Sequence, residues 1–144
     1  MIQQFSQEYS FLSNFYPSDV WYDGVLYPTV EHAYQAAKTF DEQDRKKILE
    51  AKTPGQAKRL GRKIKIRDDW EKIKVYVMYE LVLQKFCRHP QLRRKLLETK
   101  DQTLVEGNKW GDKFWGVDLE TKKGRNMLGK LLMQVREELL YHQF

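Results

Sequence analysis

Apolar positions recur along most of the chain at helical spacing, and one short stretch alternates around a turn instead. Leu128, Leu131, Leu132, Val135 and Leu139 fall three or four apart and predict a helix over about 125–141 with one face in a core. Trp70, Ile73, Val77, Leu81 and Phe86 mark a longer helix over about 70–88, with Asp68 or Asp69 as its cap. Pro90 ends that helix and opens another, whose stripe is Leu92 and Leu96. Thr53-Pro54 pairs a capping hydroxyl with a first-turn proline and predicts a helix that Gly61 terminates. Asp41 caps a short helix ending near Lys52. Upstream, Val20-Trp21-Tyr22 and Val25-Leu26-Tyr27 flank Asp23-Gly24, the signature of a β-hairpin with a type I′ turn. Pro28-Thr29 stops the second strand and caps a helix of about 30–40. Thr103-Leu104-Val105-Glu106 reads as a short strand, and the stretch GNKWGDKFWGVD after it has no helical period. The expected fold is α+β: one predominantly helical domain over 1–144 with a small antiparallel sheet, without repeats or linkers.

At about 100° per residue, the helix beginning at Val30 places Ala33, Ala37 and Phe40 on Val30's side as a core edge. Glu31, Gln35 and Lys38 fall together within an arc of about 60° beside it. Glu31 and Lys38 are two turns apart, about 10 Å along the axis, so both can converge on something lying between them. Taken singly, Glu31 is also an ordinary first-turn acid and Lys38 an ordinary surface lysine.

The 144 residues suit one domain with a core of its own. A single cysteine, Cys87, excludes an intramolecular disulfide and fits a reducing compartment. No stretch reads as a membrane span, and MIQQFSQEYS lacks the basic and apolar regions of a secretion signal, so the expected location is the cytoplasm. The formal charge of +6 is uneven: between Arg45 and Arg67 ten Lys/Arg face one acid, Glu50, leaving the rest of the chain net negative. That asymmetry points to a polyanionic partner, whether ligand phosphates or a nucleic-acid backbone.

A second constellation is the loop from Glu106 to Gly116, with Asn108, Trp110, Asp112 and Trp115 among three glycines. Such a loop lets backbone approach a ligand and an indole stack on a planar ring. A third is Lys123-Gly124-Arg125-Asn126, where cations and free amides at a helix start suit a phosphate. His32, His89, His142 and Cys87 have no metal-ligand spacing, and neither GxGxxG nor Walker A is present, so neither metal nor cofactor is expected.

These segments, in this order, resemble the NADAR (YbiA-like) family. The matching pieces are FLSNFY at 11–16, YPTVEHAYQAAK at 27–38, Lys85-Phe86, Leu104-Val105-Glu106, Trp115-Gly116, and GRNMLG at 124–129 with LMQVR at 132–136. They span nearly the whole chain, and the EHAYQAAK and terminal segments are the specific ones. One departure is Val117-Asp118-Leu119-Glu120, where relatives are often richer in glycine.

The resemblance implies an N-glycosidase without a cofactor. Members are associated with ADP-ribose-linked substrates, including ADP-ribose on guanine bases of nucleic acid. Others hydrolyse phosphoribosylated riboflavin intermediates. By motif, Glu31 and Lys38 belong to the active site with Asp112 and the tryptophan loop nearby. Glu31 is expected to face the sugar, Lys38 to attack the anomeric carbon or hold the substrate, and Asp112 to move a proton. Trp110 or Trp115 would stack a base, Ser13 and Asn14 would hydrogen-bond sugar or base, and Arg62, Lys63 and Arg125 would meet phosphates. Phe15, Gln35, Trp70, Lys85, Asn108 and Asn126 complete the candidate substrate-binding set. The expected partners are an ADP-ribose-type nucleotide and ADP-ribosylated nucleic acid, and no membrane. Rival readings are a hydrolase of riboflavin precursors and a non-catalytic reader of ADP-ribose or nucleic acid.

Overall fold

The computed structural model of the chain describes residues 1–142. About half of the chain is helical, and its contacts divide it into two compact units, Asn14–Arg88 and Met1–Ser13 with the chain from His89 onward. Among the described residues no helix is long and apolar enough to cross a membrane.

The Asn14–Arg88 unit opens with the hairpin of β1 (Val20–Tyr22) and β2 (Val25–Tyr27), antiparallel with Val20 opposite Tyr27. Asp23 and Gly24 both take positive φ, 47° and 78°, as the type I′ turn requires. The Gln84 side chain bonds both the N–H (2.5 Å) and the carbonyl (2.9 Å) of Trp21, doing for the free edge of β1 what a third strand would do. Four helices follow: α1 (Val30–Ala37), α2 (Glu42–Leu49), α3 (Pro54–Gly61) and α4 (Trp70–Arg88). The hydroxyls of Thr29 and Thr53 and the carboxylate of Asp41 each accept an N–H of the first turn that follows, which is why these helices start where the caps fall. α2, α3, α4 and both strands pack on α1, and all eight of its residues are buried.

Three expectations need correction in this unit: the length of α1, the place of Phe40 and the cap of α4. α1 ends at Ala37, because the Arg45 guanidinium takes the carbonyls of Ala36 and Thr39 (3.1 and 2.7 Å) and turns the chain outward. Phe40 therefore leaves the core; it is 67% exposed, with the Arg67 guanidinium 3.9 Å from its ring. α3 does end at Gly61 as expected, with a right-handed Arg62 as its C-cap, and Gly61 also serves the close packing described below. Asp69 grips Arg67 (2.6 and 3.0 Å) in place of a cap on α4.

In the second unit a 3₁₀ turn (Gln7–Leu12) precedes α5 (Pro90–Glu98), β3 (Gly107–Asn108), β4 (Val117–Asp118) and α6 (Met127–Tyr141). The strand expected at 103–106 shrinks to a single bridge between Leu104 and Ile2. The Asn126 side chain explains this: it accepts the Glu106 N–H and donates to the Leu104 carbonyl, both at 2.9 Å, filling the edge a partner strand would need. The ladder that does form is parallel and one step later, with Gly107 opposite Val117. α6 starts at Met127 because Asn126 is left-handed (φ 52°, ψ 41°). Its stripe of Leu128, Leu131, Leu132, Val135 and Leu139 is buried as the spacing demands.

His32 ties α1 to the α2–α3 connection. Its Nε2 meets the Ala51 carbonyl (3.0 Å), an acceptor only, so Nε2 carries the proton and Nδ1 accepts from the Thr29 hydroxyl (2.8 Å). Burial holds its pKa below the usual 6.5, the Ala51 bond opposing the shift only in part. The folded state thus prefers neutral His32. Its contribution to stability is complete above the unfolded pKa and is lost as pH falls below it. The wild type should lose stability between pH 7 and pH 5 more steeply than His32→Gln, by at most about 1.4 kcal/mol per pH unit for one proton. Urea denaturation of both proteins across that range measures the difference.

Candidate active site

The buried α1 carries a carboxylate, an amide and an amine, and a buried polar group is expensive unless it is bonded. Glu31 is 7% exposed, and its Oε2 accepts from Gln35 Nε2 at 2.5 Å, while its backbone N–H donates to the Asn14 carbonyl at 3.1 Å. The amide of Gln35 is thereby oriented, because turning it over would set oxygen against carboxylate. The cost falls on Gln35 Oε1, which is buried with no hydrogen-bond partner and lies against Gly61 of α3. A Cβ at Gly61 would collide with that amide. Helix α3 can press on α1 only while this position has no side chain.

Lys38 lies at the C-terminal end of the same helix, half-buried, with its amine 5.5 Å from the centre of the Tyr34 ring. Tyr34 in turn packs on the indole of Trp70 at 5.1 Å. Burial holds the Lys38 amine below the ordinary lysine range; Glu31 pulls it back up, and Lys58, Arg62 and Lys74 push it further down. The carboxylate and the amine seven positions apart therefore share one electrostatic environment. Lys58 and Lys74 escaped the sequence reading. The signals present were the four-residue step from Lys58 to Arg62 and the four-residue step from Trp70 to Lys74.

Of the other candidates in this unit, Lys85 is 1% exposed, with its amine 5.2 Å from the Phe86 ring and 5.7 Å from that of Tyr16. Burial lowers its pKa to about 7. Asn14 donates to the Met78 sulfur (3.4 Å), Trp70 is buried, Phe15 is 42% exposed, and Arg62 and Lys63 are exposed.

The remaining candidates belong to the other unit. Ser13 closes its 3₁₀ turn. Asn108 is 1% exposed and binds its own loop: Nδ2 donates to Glu106 Oε2 and the Asp112 carbonyl, and Oδ1 accepts the Asp112 N–H. Asp112 Oδ1 accepts the N–H groups of Phe114 and Trp115 (3.0 and 2.9 Å), which folds the tryptophan loop back on itself. Trp115 meets Phe114 edge-on at 4.9 Å, Trp110 is 64% exposed, and Arg125 lies over the Phe114 ring at 5.1 Å. The start of α6 is not an open anion site, because the amides of residues 125–128 donate to the carbonyls of 113, 116, 114 and 115 in turn. Asn126 spends its side chain on the 104–106 segment. No group of three or more His, Cys, Asp or Glu among the described residues is placed to hold a metal.

With this geometry the relatives can be weighed. The family profile described as the NADAR domain matches residues 2–140. This chain belongs to that family. An N-glycosidase of Nostoc punctiforme is 43% identical over 92% of the chain and 87% of its own length. The N-glycosidase YbiA of Escherichia coli is 40% identical over 93% of the chain and 84% of its own length. A riboflavin biosynthesis protein of Vibrio vulnificus is 42% identical over 94% of the chain, but the chain spans only 37% of that protein. The NMR structure of E. coli YbiA superposes with a TM-score of 0.83 at 37% identity, covering the whole chain and 92% of YbiA, so the YbiA-like fold is shared.

The Gly61–Gln35 contact yields a prediction for this NADAR domain. Alanine in a helix interior is ordinarily worth about 1 kcal/mol over glycine. Here Gly61→Ala should instead destabilise by about 1–3 kcal/mol, because the amide must leave Glu31 to make room. The loss should shrink in a Gln35→Ala background, which removes the colliding group. Urea denaturation of the four proteins tests it, and a stabilising Gly61→Ala would show that the amide is free to move.

Proposed function

We propose that the protein is an N-glycosidase in which Glu31 and Lys38 act together on a phosphate-bearing nucleotide substrate, with ADP-ribose linked to guanine as the preferred class. The observation that supports it most is the pairing of a desolvated carboxylate with an amine held below its ordinary pKa on one buried helix. The names borne by the Nostoc and E. coli relatives agree with this bond type.

N-glycoside cleavage builds positive charge on the anomeric carbon and ring oxygen as the base departs. Glu31 is suited to face that charge, and the Gln35 amide keeps its carboxylate in place as the sugar arrives. Lys38 acts as the nucleophile, since only the neutral amine has a lone pair and its surroundings favour that form. The amine displaces the base at the anomeric carbon, and the base leaves with a proton. Ring opening then gives an imine between Lys38 and the sugar, and water releases the free sugar and restores the amine. Burial lowers the pKa of Lys85 to about 7, but at 1% exposure it is not placed to meet a substrate. In the other unit, Asp112 Oδ1 holds its own loop and Trp110 is exposed.

A second reading, hydrolysis of a riboflavin precursor, is favoured by one observation: relatives from Vibrio vulnificus and Zea mays, 42% and 39% identical, are named riboflavin biosynthesis proteins. Incubation with ADP-ribosylated guanosine, ADP-ribosylated DNA, NAD and an aminopyrimidine ribotide, followed by mass spectrometry of the products, separates the two. Lys38→Ala and Glu31→Gln should each reduce turnover by more than tenfold on the true substrate. Borohydride added during turnover should trap a sugar adduct on Lys38; turnover without an adduct would leave Lys38 a binder.

A further inference from the structure

We propose that Arg93, Arg94 and Lys100, at the end of α5, form a docking surface for the phosphate backbone of a polynucleotide. They belong to the unit that does not carry Glu31 and Lys38, so the surface stands independently of the N-glycosidase reading.

The three cations border one open cavity of about 500 Å³, with Pro90 and Leu97 as its apolar part and Glu98 as the one acid among its lining residues. Arg94 and Glu98 stand four apart on α5, the spacing at which a helix can close an ion pair. Yet among the described residues no carboxylate lies within salt-bridge distance of Arg93, Arg94 or Lys100. Three cations against one carboxylate leave the rim positive, and its donors face water.

Cations in the last turn of a helix are ordinary, because the helix dipole favours them. Lys100 is not explained that way. α5 ends at Glu98 with Thr99 as its cap, and Lys100 follows in the left-handed region at φ 56°. Glycine is the usual residue there, because a β-carbon resists that conformation. The Lys100 side chain is exposed and makes no contact that offsets the strain. The turn around it is firmly held. The Thr99 hydroxyl donates to the Leu96 carbonyl at 2.6 Å, and the Arg136 guanidinium of α6 donates to the Thr99 hydroxyl (2.9 Å) and the Gln102 carbonyl (2.8 Å). Asp101, the next residue, acts on that buried Arg136. Lys100 thus has a fixed backbone position on the same cavity as the two arginines.

None of the three cations is buried, and they lie along a rim without enclosing a single anion. A rim of that kind suits a row of phosphates. Each guanidinium can grip phosphate oxygens in pairs, the ammonium adds a point charge, and Pro90 with Leu97 gives a sugar an apolar floor.

Fluorescence anisotropy of a labelled single-stranded oligonucleotide, between about 50 and 200 mM salt, tests the surface without turnover. Arg93→Gln/Arg94→Gln should bind at least about tenfold more weakly and flatten the slope of log K against log salt by about 1.4, the share of two phosphate contacts. Lys47→Gln/Lys72→Gln removes the same charge at exposed positions of α2 and α4 and should change affinity less than about twofold. Lys100→Gly should raise the urea midpoint, since glycine takes the left-handed turn without strain, and yet weaken binding at least about threefold. Should the glutamine pair unfold, Arg93→Lys/Arg94→Lys, which keeps the charge and loses the fork, should lower affinity with the slope unchanged. Absence of oligonucleotide binding by the wild type would overturn the proposal. So would equal losses in the two charge-removing pairs, or an unchanged affinity in Lys100→Gly. Tighter binding of a polyglutamate peptide than of the oligonucleotide would mark an acidic protein as the partner and overturn it too. Oligonucleotide binding by a protein that cleaves none of the candidate substrates would retain this surface and reject only the glycosidase reading.

Discussion

The hydrogen bond between Gln35 and Glu31 constrains everything around it. A carboxylate at 7% exposure survives in a helix wrapped by three others because the amide two-thirds of the way along α1 points its donor at it. That orientation leaves an acceptor without a partner against α3, at a cost of about 1–3 kcal/mol for a buried polar atom. Glycine at position 61 leaves room for that amide under α3, whose Lys58 and Arg62 push the Lys38 pKa down. One polar contact therefore fixes a side chain, a helix–helix approach and the charge around an amine.

Much of the fold was legible because its signals are local. The Asp23-Gly24 turn, the caps Thr29, Asp41 and Thr53, and the limits Trp70–Arg88 of α4 all depend on residues within four positions of each other. Where the reading failed, a distant side chain had intervened. Arg45 ended α1 early by taking two carbonyls, and Asn126 displaced a strand partner from 104–106. Neither effect leaves a periodic trace, since a single long-range hydrogen bond has no spacing to detect. Phe40 is the clearest case: the helical wheel places it in the core, and the chain turns out of the helix before reaching it.

The candidate site was legible in part for a related reason. Glu31, Gln35 and Lys38 share one helix, so a wheel alone brings them together, and the structure adds the bond and the electrostatic coupling between them. Lys58 and Lys74 come from two other helices, and only the packing of those helices on α1 gives them meaning. The loop from 106 to 116 shows the opposite error. Its amides, carboxylates and glycines looked free for a ligand, yet Asn108 and Asp112 spend most of their bonding on the loop itself. Polar composition announces a shaped loop as readily as a binding loop, and the hydrogen-bond inventory is what tells them apart.

The cations around Lys38 do two things that are usually opposed. Like charges near an amine favour its neutral form, which is the reactive one, but they also destabilise the empty protein by mutual repulsion. Burial is the largest influence on the Lys38 amine, ahead of any neighbouring charge. The depth of α1 in its unit, more than any single nearby charge, therefore holds the Lys38 amine below the ordinary lysine range.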